Sequence, residues 1–379
     1  MTAREVPPNL FTKDPFSFTP CVMQPIQKTP LRLSPATLLA VLFVSCASNP
    51  KDGPNSQAWV HWEAPGSIRT LDVVSETHLR CAASDGWVGQ TTDGIHWNHR
   101  KWLAPDSTAP SFRSSGANGT HWFAASISSP AWVARTSPEG WEPEWVHHDT
   151  TKAVFLDAMA WWNEREGLVF GDPVEECLTL LITRDGGQTW TPTPCNIAPI
   201  AQTGEAGFAA SNGNICVQGD TAWVFSGGTA SRCLRSTDRG LSWDVFELPI
   251  RQGEAMTGVF GASFANARRG LAIGGNWEHP DDNFGNLIAT RDGGETWRLL
   301  AEGTGPGYRS CIVHHPRNSQ QVVASGFQGV DVSLDGGTTW RHVSDSSRYV
   351  ARFSPSGRTL WLAGKRSLSR VSWDAISLP

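Results

Sequence analysis

The sequence predicts an all-β protein, a seven-bladed β-propeller built from four-stranded antiparallel blades. A turn motif that recurs along the chain, a strand pattern that recurs seven times and an unusual composition together support this fold. The 379 residues include 37 Gly, 25 Pro and 19 Trp but only 2 Tyr, which suits short strands joined by tight turns. Sequence units repeated at a fixed spacing stack into solenoids or propellers, because one unit cannot bury its hydrophobic face alone.

The recurring turn has the pattern (Ser/Thr)-x-Asp-x-Gly-x-(Ser/Thr)-Trp. In each copy we expect Asp to accept hydrogen bonds from the turn amides and Gly to adopt a positive φ. Trp then opens the next strand and packs inward, so these Asp residues are predicted to be structural. A sixth copy, at 136–140, has lost its Asp. The five intact copies contain Asp93 and Trp97, Asp185 and Trp190, Asp238 and Trp243, Asp292 and Trp297, and Asp335 and Trp340.

Aligning backwards from each turn shows a second repeated pattern, in which a large residue and then a polar one open a small-residue strand. The seven copies are spaced by about 40–52 residues. A second strand ending in Gly, a third leading into the turn and a fourth opened by Trp complete four strands per unit. The polar positions that align are Arg69, Arg113, Asp157, Glu205, Thr257, Arg309 and Tyr349.

The seventh repeat stops near Trp373, without room for a fourth strand. The segment 58–62, which precedes the first repeat, has the character of an outer strand and can supply the missing one. We therefore expect Val60 to pair antiparallel with residues 368–371, closing the ring and removing an exposed sheet edge. The propeller is predicted to span residues 58–379.

The N-terminus has the layout of an export signal. Residues 36–45 form an apolar run of ten, too short to span a bilayer as a mature helix. Lys28 and Arg32 precede the run and Cys46 follows it, as in a secretory signal peptide. The ending Val44-Ser45-Cys46 also resembles a bacterial lipobox, with Cys46 lipidated. Residues 1–46 are interpreted as a leader whose true start could be Met23; the alternative is an uncleaved N-terminal segment. Residues 47–57 are interpreted as a linker.

Composition argues against several function classes. A net charge of −5 gives no basic face for nucleic acid or anionic lipid, so membrane contact is expected only through the lipid anchor. The sequence shows no nucleotide, flavin or metal motif, so no cofactor and no metal are expected. The adjacent pairs His147-His148 and His314-His315 point to opposite faces of a strand and cannot chelate one ion. The protein is expected to be a monomer.

Six cysteines remain after Cys21 and Cys46 are set aside, and sequence cannot choose among fifteen pairings. Buried free thiols are equally compatible with a propeller of this size. The sequence leaves both alternatives open. The six are Cys81, Cys177, Cys195, Cys216, Cys233 and Cys311.

The seven aligned positions are expected to converge on a funnel above the central channel. Arg recognises carboxylate or phosphate through planar, bidentate contacts, so an anionic small ligand or an acidic partner protein is predicted there. Alternatively, these charges pair with one another and fill the channel. Further polar side chains in loops between second and third strands are expected at the same rim: Asp172, Asn276, Asp281, Asp282 and Asn286.

The repeated turn resembles the Asp-box of the BNR-repeat propellers, which include sialidases, sortilin-type receptors and photosystem II assembly factors. In those families the box lies on the outer rim, away from the binding face. Nearly the whole mature chain resembles a bacterial exported group, often labelled "oxidoreductase" or likened to the photosystem II stability/assembly factor. No residue here supports the oxidoreductase label. The resemblance implies a partner protein bound through an Arg-lined face. It rests on residues 155–160, 171–173, 204–211 and 307–310.

A sialidase-like glycoside hydrolase is the alternative function. Resemblance to sialidases would make Arg69, Arg113 and Arg309 an arginine triad, with Tyr349 or Tyr308 as nucleophile beside Glu205. However, the Phe-Arg-Ile-Pro motif of those enzymes is absent, and they have six blades. We therefore expect an exported, lipid-anchored, non-catalytic binding or assembly module on the periplasmic or cell-surface side of a bacterial membrane.

Overall fold

The computed structural model describes residues 58–137 and 140–377. The predicted leader and linker, with Met23 and Cys46, lie outside these residues. Within them, antiparallel four-stranded sheets form the seven predicted blades. The innermost strands contact one another in ring order and enclose a central channel.

The first four blades account for the strands up to residue 247. Strand β1 spans Trp59–Glu63. Blade one contains β2 (Ile68–Val73), β3 (Leu79–Ala83), β4 (Trp87–Thr91) and β5 (Asn98–Lys101); blade two contains β6 (Phe112–Ala117), β7 (Trp122–Ser126), β8 (Ala131–Thr136) and β9 (Pro143–Asp149); blade three contains β10 (Leu156–Trp161), β11 (Gly167–Val174), β12 (Cys177–Thr183) and β13 (Thr191–Pro192); blade four contains β15 (Ile215–Gln218), β16 (Thr221–Phe225), β18 (Arg232–Ser236) and β19 (Asp244–Glu247). The short strands β14 (Glu205–Ala206) and β17 (Gly227–Gly228) extend the sheet of blade five.

The last three blades follow the same plan. Blade five contains β20 (Thr257–Phe264), β21 (Gly270–Asn276), β22 (Leu287–Thr290) and β23 (Arg298–Leu299); blade six contains β24 (Cys311–His315), β25 (Asn318–Gly326), β26 (Gly329–Ser333) and β27 (Arg341–Ser344); blade seven contains β28 (Val350–Phe353), β29 (Thr359–Gly364) and β30 (Ser367–Ser372), before the short helix α1 (Trp373–Ser377). The short β14 and β17 pair with each other, and β17 also pairs with β20.

Strand β1 closes the ring as predicted. It pairs antiparallel with β30, and Val60 lies opposite Arg370. Trp62 stacks on Trp361 with ring centroids 5.6 Å apart and meets Trp97 edge-on at 5.9 Å. Closure therefore packs the half-buried Trp62 and Trp97 against the buried Trp361 at the boundary between blades seven and one.

The repeated turns, which we call the Asp turns, have the predicted hydrogen bonds. In the copy at Asp185, Oδ1 accepts from the amides of Gln188 at 2.9 Å and Thr189 at 3.0 Å. Gly186 and Gly187 have φ values of 78° and 79°. Trp190 is buried beside the turn. Since neighbouring strands are antiparallel, the Asp turns lie at the end of the channel opposite the one where the inner strands begin.

The cysteines resolve into one disulfide and four thiols. Cys177 in β12 is bonded to Cys195. The free cysteines of the described chain are Cys81, Cys216, Cys233 and Cys311. Most are buried among the blade cores, which agrees with a scaffold stabilised by packing.

Candidate functional site

The channel mouth, the end at which the inner strands begin, is shaped by β-bulges. The ladders of β2, β6 and β10 each shift register just after their first residue, at Arg69, Arg113 and Asp157. A bulge redirects the side chain it contains, so these three predicted residues share one structural position. In blade five the bulge falls at Phe260, not at Thr257 as aligned from the sequence.

Blade four differs from the predicted repeat. The sequence placed its inner strand at 204–207, but the inner strand is β15, which begins at Ile215. Residues 207–214, which we call the channel loop, lie before it. The misplacement arises because Glu205 and Ala206 form a short strand of their own, paired with Gly228 and Gly227.

The channel loop crosses the channel and is held by blades two, three and seven. The Asn212 side chain donates from Nδ2 to the carbonyl of Ser115 at 2.8 Å and accepts at Oδ1 from the amide of Met159 at 2.7 Å. Arg352 Nη2 donates to the carbonyls of Ser211 at 3.0 Å and Asn212 at 3.3 Å.

Blades one, five and six hold the same loop. Ser211 Oγ donates to the carbonyl of Ser310 at 2.7 Å, and the amide of Ala262 donates to the carbonyl of Gly213 at 2.8 Å. Arg69 donates to the carbonyl of Ala210 at 3.4 Å. A loop from blade four thus contacts all six other blades and occupies the channel, so a ligand at the mouth would rest on this loop.

Arg69 and Tyr349 lie together at the mouth. The Arg69 guanidinium lies over the Tyr349 ring, with Cζ 4.0 Å from the ring centroid. Both side chains are half-buried. Cation–π stacking fixes the plane of the guanidinium and keeps its positive charge at the mouth. This pair, predicted from sequence only as two separate positions, is the arrangement most suited to anion recognition.

Tyr308 lies beneath this pair as a core residue. Its ring is 2% exposed and meets Phe260 edge-on at 4.7 Å and Phe327 at 5.2 Å. Burial raises the pKa of the Tyr308 phenol above its usual value, despite the opposing charges of Arg69 and Arg309. Tyr308 is therefore a neutral phenol at physiological pH.

Arg309 is committed to a buried ion pair. Its Nε donates to Asp331 Oδ2 at 2.7 Å, and Nη1 donates to the carbonyl of Tyr308 at 2.8 Å. His342 Nδ1 lies 2.9 Å from Asp331 Oδ1, and this hydrogen bond raises the pKa of His342. Arg309 and Asp331 are each 5% exposed. Arg309 therefore positions blade six and does not present its charge to the mouth.

Glu205 is also committed to an ion pair. Both of its carboxylate oxygens accept from Arg232, from Nε at 2.9 Å and from Nη2 at 2.5 Å. Ser226 Oγ and the amide of Gln202 complete its hydrogen bonds. Arg232 was not predicted as a partner of Glu205; it opens strand β18, whose sequence Arg-Cys-Leu-Arg-Ser contains a second arginine and gave no signal for the pairing.

Two carboxyl groups flank the start of the channel loop. Asp172 Oδ1 accepts from the amide of Gly207 at 2.8 Å, and Asp157 packs on the same residue, where a Cβ would fall 2.2 Å from Oδ2. Burial raises the pKa of both carboxyls, and for Asp157 the neighbouring Asp172 charge adds to the rise. Arg113 and the Ala209 amide act in the opposite direction on Asp157. Gly207 is required here because any side chain would collide with Asp157.

The other rim residues have structural roles. Thr257 Oγ1 donates to the carbonyl of Glu254 at 2.8 Å, and Asn286 donates to the carbonyl of Pro306 at 2.7 Å. Asp282 is ion-paired with Arg251. Asn276 donates to Glu254 at 3.2 Å, and Asp281 accepts from Gln328. The structure therefore brings together two groups: Arg69 with Tyr349 and Tyr308, and Arg113 with Asp157 and Asp172.

One histidine of each adjacent pair stacks or hydrogen-bonds within the blades. His148 stacks on Trp132 with centroids 4.6 Å apart, and His314 Nδ1 lies 2.9 Å from Ser263 Oγ. Across residues 58–137 and 140–377, no group of three or more His, Cys, Asp or Glu could hold a metal ion. Within the same ranges, no helix has the length and apolar character needed to cross a bilayer.

Comparison with known proteins shows similarity in structure but not in sequence. No family model matches the chain, and no curated protein matches it. The solved structure of YCF48 bound to D1 peptide aligns with a TM-score of 0.59 at 16% identity, covering 83% of this chain and 97% of that one.

Two further solved structures align over a similar length. YCF48 from Cyanidioschyzon merolae aligns with a TM-score of 0.59 at 14% identity, covering 84% of this chain and 99% of that one. U3-55K aligns with a TM-score of 0.60 at 12% identity, covering 84% and 100%. At these identities the likeness shows the fold alone, a seven-bladed β-propeller.

Proposed function

We propose that this propeller is a non-catalytic binding or assembly module that recognises an acidic segment of a partner protein at the channel mouth. The observation that carries the proposal is the Arg69 guanidinium stacked over Tyr349. Such a stack holds the guanidinium plane in one orientation, so less side-chain entropy is lost when a carboxylate binds its edge.

The channel loop favours a peptide over a deeply buried small molecule. Because residues 207–214 occupy the channel, the mouth is a shallow surface and not a deep pocket. Trp277 and Phe327 lie beside the buried Phe260 and Tyr308, with the first two rings 6.2 Å apart. Half-buried aromatic side chains next to an arginine are typical of protein-binding surfaces. The structure of YCF48 with D1 peptide is a precedent for peptide binding by a propeller of this shape.

The test is binding of fluorescent peptides to the full chain, measured by anisotropy. An acidic peptide should bind more tightly than the same peptide with Asp and Glu replaced by Asn and Gln. Arg69→Gln should weaken binding by about 1.5–3 kcal/mol, the range for a charged hydrogen bond. Arg100→Gln is the matched control, since Arg100 lies on outer strand β5. Equal binding of both peptides would refute the proposal, whereas binding of free carboxylates alone would indicate a small anionic ligand.

We also propose that the protein is exported and anchored through lipidated Cys46, as a monomer, on the outer side of a bacterial membrane. The apolar run at 36–45, preceded by Lys28 and Arg32, supports this. The Cys177–Cys195 disulfide supports it independently, because disulfides form and persist in oxidising compartments.

The hydrolase alternative receives less support from the same contacts. Glu205 is bound on both oxygens by Arg232, Arg309 is bound by Asp331, and Tyr308 is buried with a raised pKa. A tyrosine nucleophile is activated by an adjacent base that can accept its proton or by a lowered pKa of the phenol. Release of product from an aryl sialoside, lost in Tyr349→Phe, would restore this alternative.

A further inference from the structure

A polar cavity lies on the side of the channel loop that faces away from the mouth. Its volume is about 240 Å³, and it opens to solvent between blades four to seven. On the same scale, about 10–15 Å³ suffices for one water molecule, so the cavity has room for a small molecule. It is lined by the channel loop at Asn212 and Gly213, by β15, by the end of β20, by Ile312 and Val313 of β24, and by Arg352 of β28.

Arg352 is the one charged side chain among the residues that line this cavity, all of which belong to the described chain. Its guanidinium donates to the carbonyls of Ser211, Asn212 and Ala351 and to the sulfur of Cys311. These acceptors are neutral, so the full positive charge remains. Arginine does not deprotonate in proteins, and a half-buried charge without a counterion is costly.

The neighbouring titratable groups do not offset the positive charge of Arg352. Burial raises the pKa of the Cys216 thiol to about 12 and lowers the pKa of His314, which contacts Ser263, to about 4. Both are uncharged at pH 7. The cavity therefore combines space, a single fixed positive charge and polar walls.

We propose that this cavity binds a small oxyanion, one bearing a carboxylate or phosphate group, through Arg352. The site is distinct from the channel mouth, because the channel loop separates the two. An oxyanion would supply a counterion for the guanidinium, whose hydrogen-bond acceptors within the described chain carry no negative charge, and its other oxygens would face the cavity wall at Ser263.

Calorimetric titration of the full chain with inorganic phosphate and with succinate, at constant ionic strength, tests the proposal. Saturable binding of either one is expected, and the preferred one identifies the class of anion. Arg352→Gln should weaken that binding by about 10- to 100-fold, the equivalent of one charged hydrogen bond. Arg80→Gln is the control, because Arg80 is paired with Asp72 in blade one and should leave binding unchanged.

A second variant keeps the test decisive if Arg352→Gln fails to fold. Val217 lines the cavity from β15, and Val217→Phe reduces its volume without changing its charge, so it should also weaken binding at least tenfold. Three results would overturn the proposal: neither anion binds, chloride binds as tightly as both, or both variants bind like the wild type.

Discussion

Asp157 and Asp172 meet at a single backbone residue, Gly207, from two different strands of blade three. Asp172 accepts the Gly207 amide, and Asp157 lies against the Gly207 Cα. Their burial makes it unfavourable for both carboxyls to be ionised together. The start of the channel loop therefore rests on a carboxyl pair that retains a proton at a pH where most carboxyls have lost theirs.

This pair predicts a specific pH dependence of stability. A raised folded-state pKa contributes stability that is present below the unfolded value, near 4, and is lost as pH rises through the folded value, about 7 for Asp172. The free energy of unfolding should therefore fall between about pH 4 and 7. Asp157→Asn should flatten that fall, measured by urea unfolding at each pH. An unchanged slope in the variant would show that the pair does not share a proton.

The Asp turns predict a different window. Burial alone would raise the pKa of Asp238 and Asp292, but the several hydrogen bonds within each turn together outweigh it and lower the pKa to about 2. Lowered pKa values contribute stability that is present above the unfolded value and is lost as pH falls from about 4 towards 2. Asp238→Asn and Asp292→Asn together should make acid unfolding less steep below pH 4, followed by tryptophan fluorescence, and leave the slope above pH 5 as in the wild type. A variant with wild-type steepness below pH 4 would contradict this.

The buried Arg309–Asp331 pair predicts an asymmetric double-mutant cycle. Arg309→Met alone leaves Asp331 buried beside a partly exposed histidine and should cost about 3–5 kcal/mol of unfolding free energy. Arg309→Met combined with Asp331→Asn should cost less than the single variant, because no buried charge is left uncompensated. Chemical denaturation measures both. A single variant within about 1 kcal/mol of wild type would mean that Arg309 acts elsewhere, as the sequence first suggested.

Lipidation gives a direct prediction. Palmitate labelling of the chain expressed in a Gram-negative host should mark the wild type and not Cys46→Ala, and only the wild type should sediment with membranes. Label that persists in the variant, or is absent from both, would remove the lipid anchor from the proposal.

The sequence was sufficient for the parts of the fold set by local chemistry. Asp185, Gly186 and Trp190 specify a turn through contacts within a few residues, and Trp59 to Trp62 has the alternation of a strand that needs a partner. Side-chain pairing at the mouth was not predictable. Glu205 and Arg309 align with Arg69 in the repeat. However, Glu205 is ion-paired with Arg232, 27 residues away along the chain. Arg309 is ion-paired with Asp331, 22 residues away.

The channel loop was unpredictable for a related reason. Its residues, Gly207 to Asn214, continue the small-residue pattern of an inner strand, so local sequence favoured a strand there. Contacts with six other blades, absent from any local signal, decide the outcome instead. Asn212 is the clearest example, since its amide group joins Ser115 of blade two to Met159 of blade three.

The pairing of β1 with β30 has a consequence for the order of folding. His61 and Ser369 are hydrogen-bonded across 308 positions of the chain, so β1 has no partner strand until β30 has been synthesised. Such long-range closure is slow, because the loop entropy must be lost before the contacts form. We therefore expect a chain interrupted before β30 to keep both β1 and the edge of blade seven unpaired and prone to intermolecular strand pairing. Both strand edges are therefore covered only in a chain that has been synthesised through β30.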